Sequence, residues 1–240
     1  QHNERVVFNG EFRVSQEFSP ELWNPVTGEI RYLPDFKSKE GNISLPVELE
    51  GNESAFIVFR KNNKLTETKD NFPQKVTVCK INTPWRITFE AGKRGRETPV
   101  VWSQLKDWMN SENDSIKYFS GQAVYETTFT LEKLPQKNLY IDLGNVMVMA
   151  KVTLNGQYVG GVWTFPYRLN VTGYLKEGEN KLEITVVNNW QNRLIGDQSL
   201  LEDQRPTWTT INSWKANSPL QSSGLLGPVE IQVVDYELVN

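Results

Sequence analysis

The sequence holds one cysteine, Cys79, and one histidine, His2, in 240 residues. Cys79 has no second thiol to pair with, and one imidazole at the N-terminus cannot build a site. Ser-His-Asp, Cys-His, His-ligated zinc and CxxC chemistries are therefore excluded, and catalysis by this chain would have to run on carboxylates. The lack of disulfides assigns no compartment, because exported bacterial proteins of this size often have none. Long apolar runs are missing too. Phe56-Ile57-Val58-Phe59 and Val146 to Ala150 have strand length, far short of the roughly 20 residues of a membrane helix. No membrane partner is expected, and no signal-peptide pattern is present. Nor is there a basic stripe: residues 1–70 carry 9 Lys+Arg against 12 Asp+Glu and residues 71–240 carry 17 of each, so nucleic acid is not an expected partner.

What the chain does have is tryptophan and alternation. Seven of its eight Trp follow residue 84. Such an excess in a near-neutral chain fits a surface that stacks on sugar faces, although most Trp in any fold are core. Period-two patterning recurs in Tyr125, Thr127, Phe129 and Leu131; in Leu139, Ile141 and Leu143; in Leu182, Ile184 and Val186; and in Val229, Ile231 and Val233. Each set predicts a half-buried strand of a sandwich. Asn155-Gly156 tolerates the positive φ of a type I′ hairpin, and Gly178-Glu179-Asn180 and Val26-Thr27-Gly28 read as turns of the same kind. Gly144 and Gly160-Gly161 sit at strand ends where backbones approach closely. Leu105, Trp108 and Met109 have helical spacing, which predicts one or two turns after a cap at Ser103.

Lys61 to Gln74 is a composition break with two apolar residues in fourteen. It predicts a small β-sandwich over residues 1–62, a linker over 63–74 and a larger jelly-roll sandwich over 75–240. About five strands are expected in the first unit, around Val6–Phe8, Phe12–Val14, Ile30–Leu33, Ile43–Leu49 and Phe56–Phe59. That is a thin core, which either leans on the second unit or belongs to a sandwich with further strands outside this chain.

Between residues 118 and 190 the pattern becomes specific. Tyr118-Phe119-Ser120-Gly121-Gln122-Ala123-Val124-Tyr125-Glu126-Thr127-Thr128-Phe129 and the stretch from Leu139 to Trp190 resemble the sugar-binding jelly roll of family-2-type glycosidases. Asn189 to Asp197, Trp208-Thr209-Thr210 and Ser223-Gly224-Leu225-Leu226-Gly227-Pro228 narrow the resemblance to the C-terminal region of glycoside hydrolase family 106 α-L-rhamnosidases and related Bacteroides-type glycosidases. Glu21 to Ile30 and Ala55 to Arg60 resemble the small β-sandwich that precedes that jelly roll. The resemblance implies an all-β fold, a small β-sandwich followed by a galactose-binding-like jelly roll. It also implies a non-catalytic accessory role in polysaccharide degradation, with a catalytic barrel N-terminal to this region. Its implied partners are carbohydrate or that catalytic domain, and its implied location is the periplasm or cell surface. A free-standing carbohydrate-binding protein and a purely structural interaction module remain the alternatives.

Candidate site residues follow from sugar chemistry. An apolar C–H face beside a rim of hydroxyls calls for a flat aromatic flanked by fixed donors and acceptors. Trp163, Tyr167, Trp190 and Trp208 supply the former, and Arg168, Asn189, Asn192, Arg193 and Asp197 the latter. The competing reading has Trp163 and Trp190 plugging the sandwich ends while Arg193 and Asp197 pair to tie down a long loop. Asn192 to Gly227 is that loop, and it either contacts sugar, covers a sheet edge or docks on another domain. Asp142, Asp197, Glu202 and Asp203 are the carboxylates nearest these motifs; turn and surface roles are expected for them, and no catalytic residue is assigned. No cofactor is expected except a structural calcium, for which the Asn110–Asp114 run offers oxygen ligands, the alternative being a solvated turn.

Overall fold

The computed structural model describes residues 4–61, 69–211, 213–236 and 238–239; His2 and the first half of the sequence expected to link the two units, residues 63–68, lie outside the described residues. Two separate hydrophobic cores organise the chain. The first is built on β1 (Val6–Arg13), β2 (Phe18–Trp23), β3 (Ile30–Tyr32), β4 (Lys37–Lys39), β5 (Asn42–Leu49) and β6 (Phe56–Lys61). These form two three-stranded sheets, ordered β1-β5-β4 and β3-β2-β6. Alternation in β5 turns Ile43, Leu45 and Val47 inward, where they meet Leu22 and Leu33.

Two expected strands, Val6–Phe8 and Phe12–Val14, merge in the structure into the single strand β1, because Asn9 to Glu11 keep pairing with β5. β2 was not foreseen. Its three central residues, Pro20, Glu21 and Leu22, are all buried, so its sequence does not alternate.

The second core lies between a six-stranded antiparallel sheet and a four-stranded one. In chain order the elements are β7 (Val76–Lys80), β8 (Trp85–Phe89), β9 (Val100–Trp102), α1 (Asp114–Lys117), β10 (Gln122–Leu131), β11 (Leu139–Asp142), β12 (Asn145–Met147), β13 (Met149–Leu154), β14 (Gln157–Val162), β15 (Arg168–Asn170), β16 (Gly178–Val187), α2 (Gln191–Asp197), β17 (Gly224–Gly227) and β18 (Glu230–Val233). The sheets run β14-β13-β16-β10-β8-β9 and β15-β11-β18-β7, with β12-β17 as a separate pair. Tyr125 pairs with Ile184 and Ile184 with Val152, so the foreseen period-two faces stack into one layer. Ile141, Leu169 and Ile231 close it from the other sheet. This is the expected all-β sandwich.

At one end Phe89, Trp108 and Phe119 pack edge to face with ring centroids 4.9–5.6 Å apart. Tyr125 Oη accepts from Trp108 Nε1 at 2.7 Å and from Leu225 N at 3.2 Å, so this buried aromatic end leaves neither donor unpaired.

Asn155 and Gly156 have φ of 52° and 80° and close the β13–β14 hairpin. Asn180, by contrast, is no hairpin tip. It is fully buried inside β16 opposite Phe129, donating to the Lys176 and Gly178 carbonyls and accepting from Lys176 N and Asn155 Nδ2. The helix expected after Ser103 starts later: Asp107 caps a 3-10 turn over Trp108–Asn110, and Asn113 caps α1.

Glu230 gives the second sheet a pH dependence. Burial pushes its carboxyl up, but hydrogen bonds from Thr77 and Gln232 and the Lys80 ammonium outweigh that and hold it below the ordinary 4.5. Its stabilising contribution is present above pH 4.5 and lost as pH falls through the lowered value. Urea unfolding at pH 7 and pH 3 should therefore show a smaller acid loss in Glu230→Gln than in the parent chain.

Candidate functional site

The strongest site candidate is a cleft of about 520 Å³ over the aromatic end of the larger core. Its floor is Ser120, Gly121, Val187 and Asn188, and its walls come from two distant segments. Glu90, Lys93 and Arg94 follow β8. Trp190, Arg193, Thr207 and Trp208 belong to α2 and the loop beyond it. Gly121 is required at the floor: its φ is +149°, and a Cβ there would lie 3.0 Å from the Phe119 ring and 3.1 Å from Glu90 Oε2. Asn188 locks the floor, donating to Phe119 O at 2.8 Å and accepting from Gly121 N at 3.0 Å.

α2 holds the second wall of the site in place through hydrogen bonds and an ion pair. Asn192, expected on a polar rim, is fully buried instead, donating to Gln221 O at 2.6 Å and accepting from Gln221 N at 2.8 Å. Asn189 donates to Gln221 Oε1 at 2.8 Å. These bonds fasten the far end of the loop to the helix. Asp197 fastens its middle: it is 1% exposed, pairs with Arg193 one turn earlier, and accepts from Thr207 Oγ1 at 2.5 Å. Thr207 adjoins Trp208, so a buried ion pair sets where that indole stands.

Of the aromatic and arginine residues singled out from sequence, Trp190, Arg193 and Trp208 line this cleft, and Asp197 is tied to it through its ion pair with Arg193. Trp190 and Trp208 are 67% and 83% exposed. Trp163 is 55% exposed, so neither Trp163 nor Trp190 plugs an end of the sandwich. Tyr167 leans on the core and donates to Val148 O at 3.2 Å. Arg168 lines a different cavity altogether, facing the first unit. Sequence reasoning missed Glu90, Lys93 and Arg94, which lie about a hundred residues before Trp190 and reach it only through β10, which pairs with β8 and runs into the cleft floor at Gly121.

The carboxylates have separate duties. Asp142 accepts from Gly144 N at 2.9 Å, Asp197 is committed to Arg193, and Glu202 and Asp203 are exposed on a 3-10 turn. In the Asn110–Asp114 run, which offered oxygen ligands for calcium, Asn113 Oδ1 accepts from Ser115 N and Oγ, and among the described residues no three Asp, Glu, His or Cys side chains converge. The cleft itself offers two exposed indoles beside three cations and one carboxylate, a surface suited to flat, oxygen-rich or anionic ligands.

Residues 102–217 match the family described as "Glycosyl hydrolase 2 galactose-binding domain-like". That galactose-binding-like segment includes α2, Trp190 and Trp208. A rhamnosidase from Novosphingobium sp. PP1Y superposes with a TM-score of 0.86 and 34% identity over 97% of this chain and 22% of its own. A protein of Formosa agariphila named "Putative beta-glucuronidase" is 45% identical over 161 residues, 56% of this chain and 14% of its own length. The chain thus spans less than a quarter of either relative, and an accessory galactose-binding-like domain of a glycoside hydrolase fits both.

Proposed function

We propose that this chain is the non-catalytic accessory region of a rhamnosidase-type, polysaccharide-degrading glycosidase, made of a small sandwich and a galactose-binding-like jelly roll. The observation that carries this reading is the superposition over 97% of the chain on 22% of the rhamnosidase. The loop from α2 to β17 supports a docking role, because it exposes Leu201, Trp208 and Ile211 at 67%, 83% and 80%. Side chains of that size left in water on one loop are suited to meeting another protein surface. Within the whole enzyme the loop would pack on the catalytic domain, and export to the periplasm or cell surface would follow from glycan breakdown.

A second reading keeps the docking role and adds glycan contact, favoured by Trp190 standing beside Arg193 and Lys93 in the cleft. Calorimetric titration of the 240-residue chain with rhamnose- and uronate-containing oligosaccharides separates the two. Glycan contact predicts measurable heat, with an affinity that falls by about fivefold to thirtyfold in Trp190→Ala, since stacking on one aromatic is worth on the order of 1–2 kcal/mol. Silence in the parent chain leaves docking alone. Turnover of aryl rhamnosides by this chain, abolished by replacing one of Asp142, Glu202 or Asp203, would overturn the accessory reading.

A further inference from the structure

Between the two hydrophobic cores lies a cavity of about 220 Å³ to which the second unit contributes Arg168 and Tyr236 and the first contributes Leu22 and Arg31. Arg31, on β3, is buried; its Nη1 donates to Asn71 O at 2.6 Å, and its guanidinium lies 4.2 Å from the Tyr236 ring centroid and 4.8 Å from that of Phe72. Arg168, on β15, reaches the same tyrosine, Nη2 donating to Tyr236 Oη at 3.5 Å. Its Nη1 is sealed from solvent and has no hydrogen-bond partner. Among the described residues neither guanidinium forms an ion pair.

Glu48, Glu50 and Glu53 line the same cavity, and Glu53 and Asp142 act on Arg168 at a distance, but each carboxylate has a hydrogen-bond or ion-pair partner other than the two arginines. Glu48 pairs with Arg5, Glu50 pairs with Lys75 at 3.0 Å, and Glu53 accepts from Glu50 N at 2.8 Å. Glu29 accepts from Tyr140 Oη at 2.8 Å and Asn170 Nδ2 at 3.1 Å. A guanidinium does not shed its proton to escape burial. Ring faces and one carbonyl are weak compensation for charge taken out of water. Burial pushes the Arg31 guanidinium below its ordinary value against the opposing pull of Tyr236 and Glu29, whereas Arg168, equally subject to burial, is held above its ordinary value by Tyr236, Asp142 and Glu53.

We propose that this cavity between the sandwiches binds the carboxylate of a small acid, Arg168 and Arg31 supplying the guanidinium donors and Tyr236 and Phe72 the apolar flank. A carboxylate presents two coplanar oxygens that match a guanidinium fork, which a neutral sugar does not. The volume lies below the roughly 300–1,000 Å³ of pockets for drug-sized ligands, so the occupant is one acidic sugar residue or a smaller carboxylate. The site is separate from the Trp190–Trp208 cleft and stands whether or not the accessory reading does.

The test is calorimetric titration of the chain with glucuronate, acetate and glucose. Glucuronate should bind, glucose should give no heat, Arg168→Gln should weaken glucuronate at least tenfold, and Val101→Ala, an exposed change on β9 that lines neither cavity, should leave it unchanged. Glucuronate binding more tightly than acetate assigns a glycan residue as occupant, and equal binding assigns a free carboxylate; both sustain the carboxylate site. Should Arg168→Gln not fold, Arg168→Lys keeps the charge without the fork and should still weaken glucuronate. No binding of either acid to the parent chain, glucose binding as tightly as glucuronate, or affinity unchanged in the folded Arg168 variant overturns the proposal.

Discussion

Replacing Asp197 with alanine is expected to destabilise the chain by about 3–5 kcal/mol, because it strands a buried arginine. Arg193 has a side chain only 13% exposed, and Asp197 is its one ion-pair partner among the described residues. Thr207 Oγ1 loses its acceptor in the same step, which frees the segment that carries Trp208. In a domain of this size that loss corresponds to a fall in Tm on the order of 10 °C. Asp197→Asn should cost less, since an amide oxygen can still accept from Thr207. The informative partner is the double variant Arg193→Met with Asp197→Met, in which both charges are gone and the burial penalty with them; it should be more stable than Asp197→Ala alone. If Asp197→Ala unfolds within 1 °C of the parent, the pair does not hold the loop. The cleft should open with the same change: any oligosaccharide heat recorded for the parent chain should weaken in Asp197→Ala even where unfolding is complete well above the assay temperature.

The sequence makes the sandwich legible wherever one strand face is wet and the other dry. Tyr125, Thr127, Phe129 and Leu131 alternate because β10 lies between two sheet neighbours with one face on the core. That signal fails at β2, buried on both sides of its centre, and at α2, whose buried residues include Asn192, Gly196 and Asp197. A helix anchored by amides and an ion pair leaves no apolar stripe to find. The site was half legible for a related reason. Trp190, Arg193 and Trp208 stand in one segment rich in unusual residues, so composition draws attention to them. Lys93 and Arg94 look like an ordinary charged turn until β8 and β10 pair and bring that turn to the cleft. Arg168 is the instructive misplacement: proximity in sequence to Trp163 and Tyr167 suggested one cluster, but β15 is an edge strand whose register aims Arg168 at the other unit.

Gly144→Ala should be nearly as damaging as Asp197→Ala, by a purely steric route. Gly144 has φ +63°, and a Cβ there would lie 2.3 Å from the carbonyl carbon and oxygen of Gly227. Neither contact is with a side chain that can swing away; both are backbone at the point where the chain passes from β11 to β12 and meets β17. Left-handed strain and forced separation together put the cost on the order of 4 kcal/mol. Gly156 is the control, because its φ is +80° but nothing lies within 4 Å of an added Cβ. Gly156→Ala should therefore cost only the conformational part, about 1–2 kcal/mol. Asparagine sharpens the comparison, since it tolerates the left-handed region. Gly156→Asn should approach the parent in urea unfolding, while Gly144→Asn should remain as unstable as Gly144→Ala. Equal losses at the two glycines would mean that the close backbone approach contributes nothing, and that the β12–β17 pair can separate at no cost to the core beneath it.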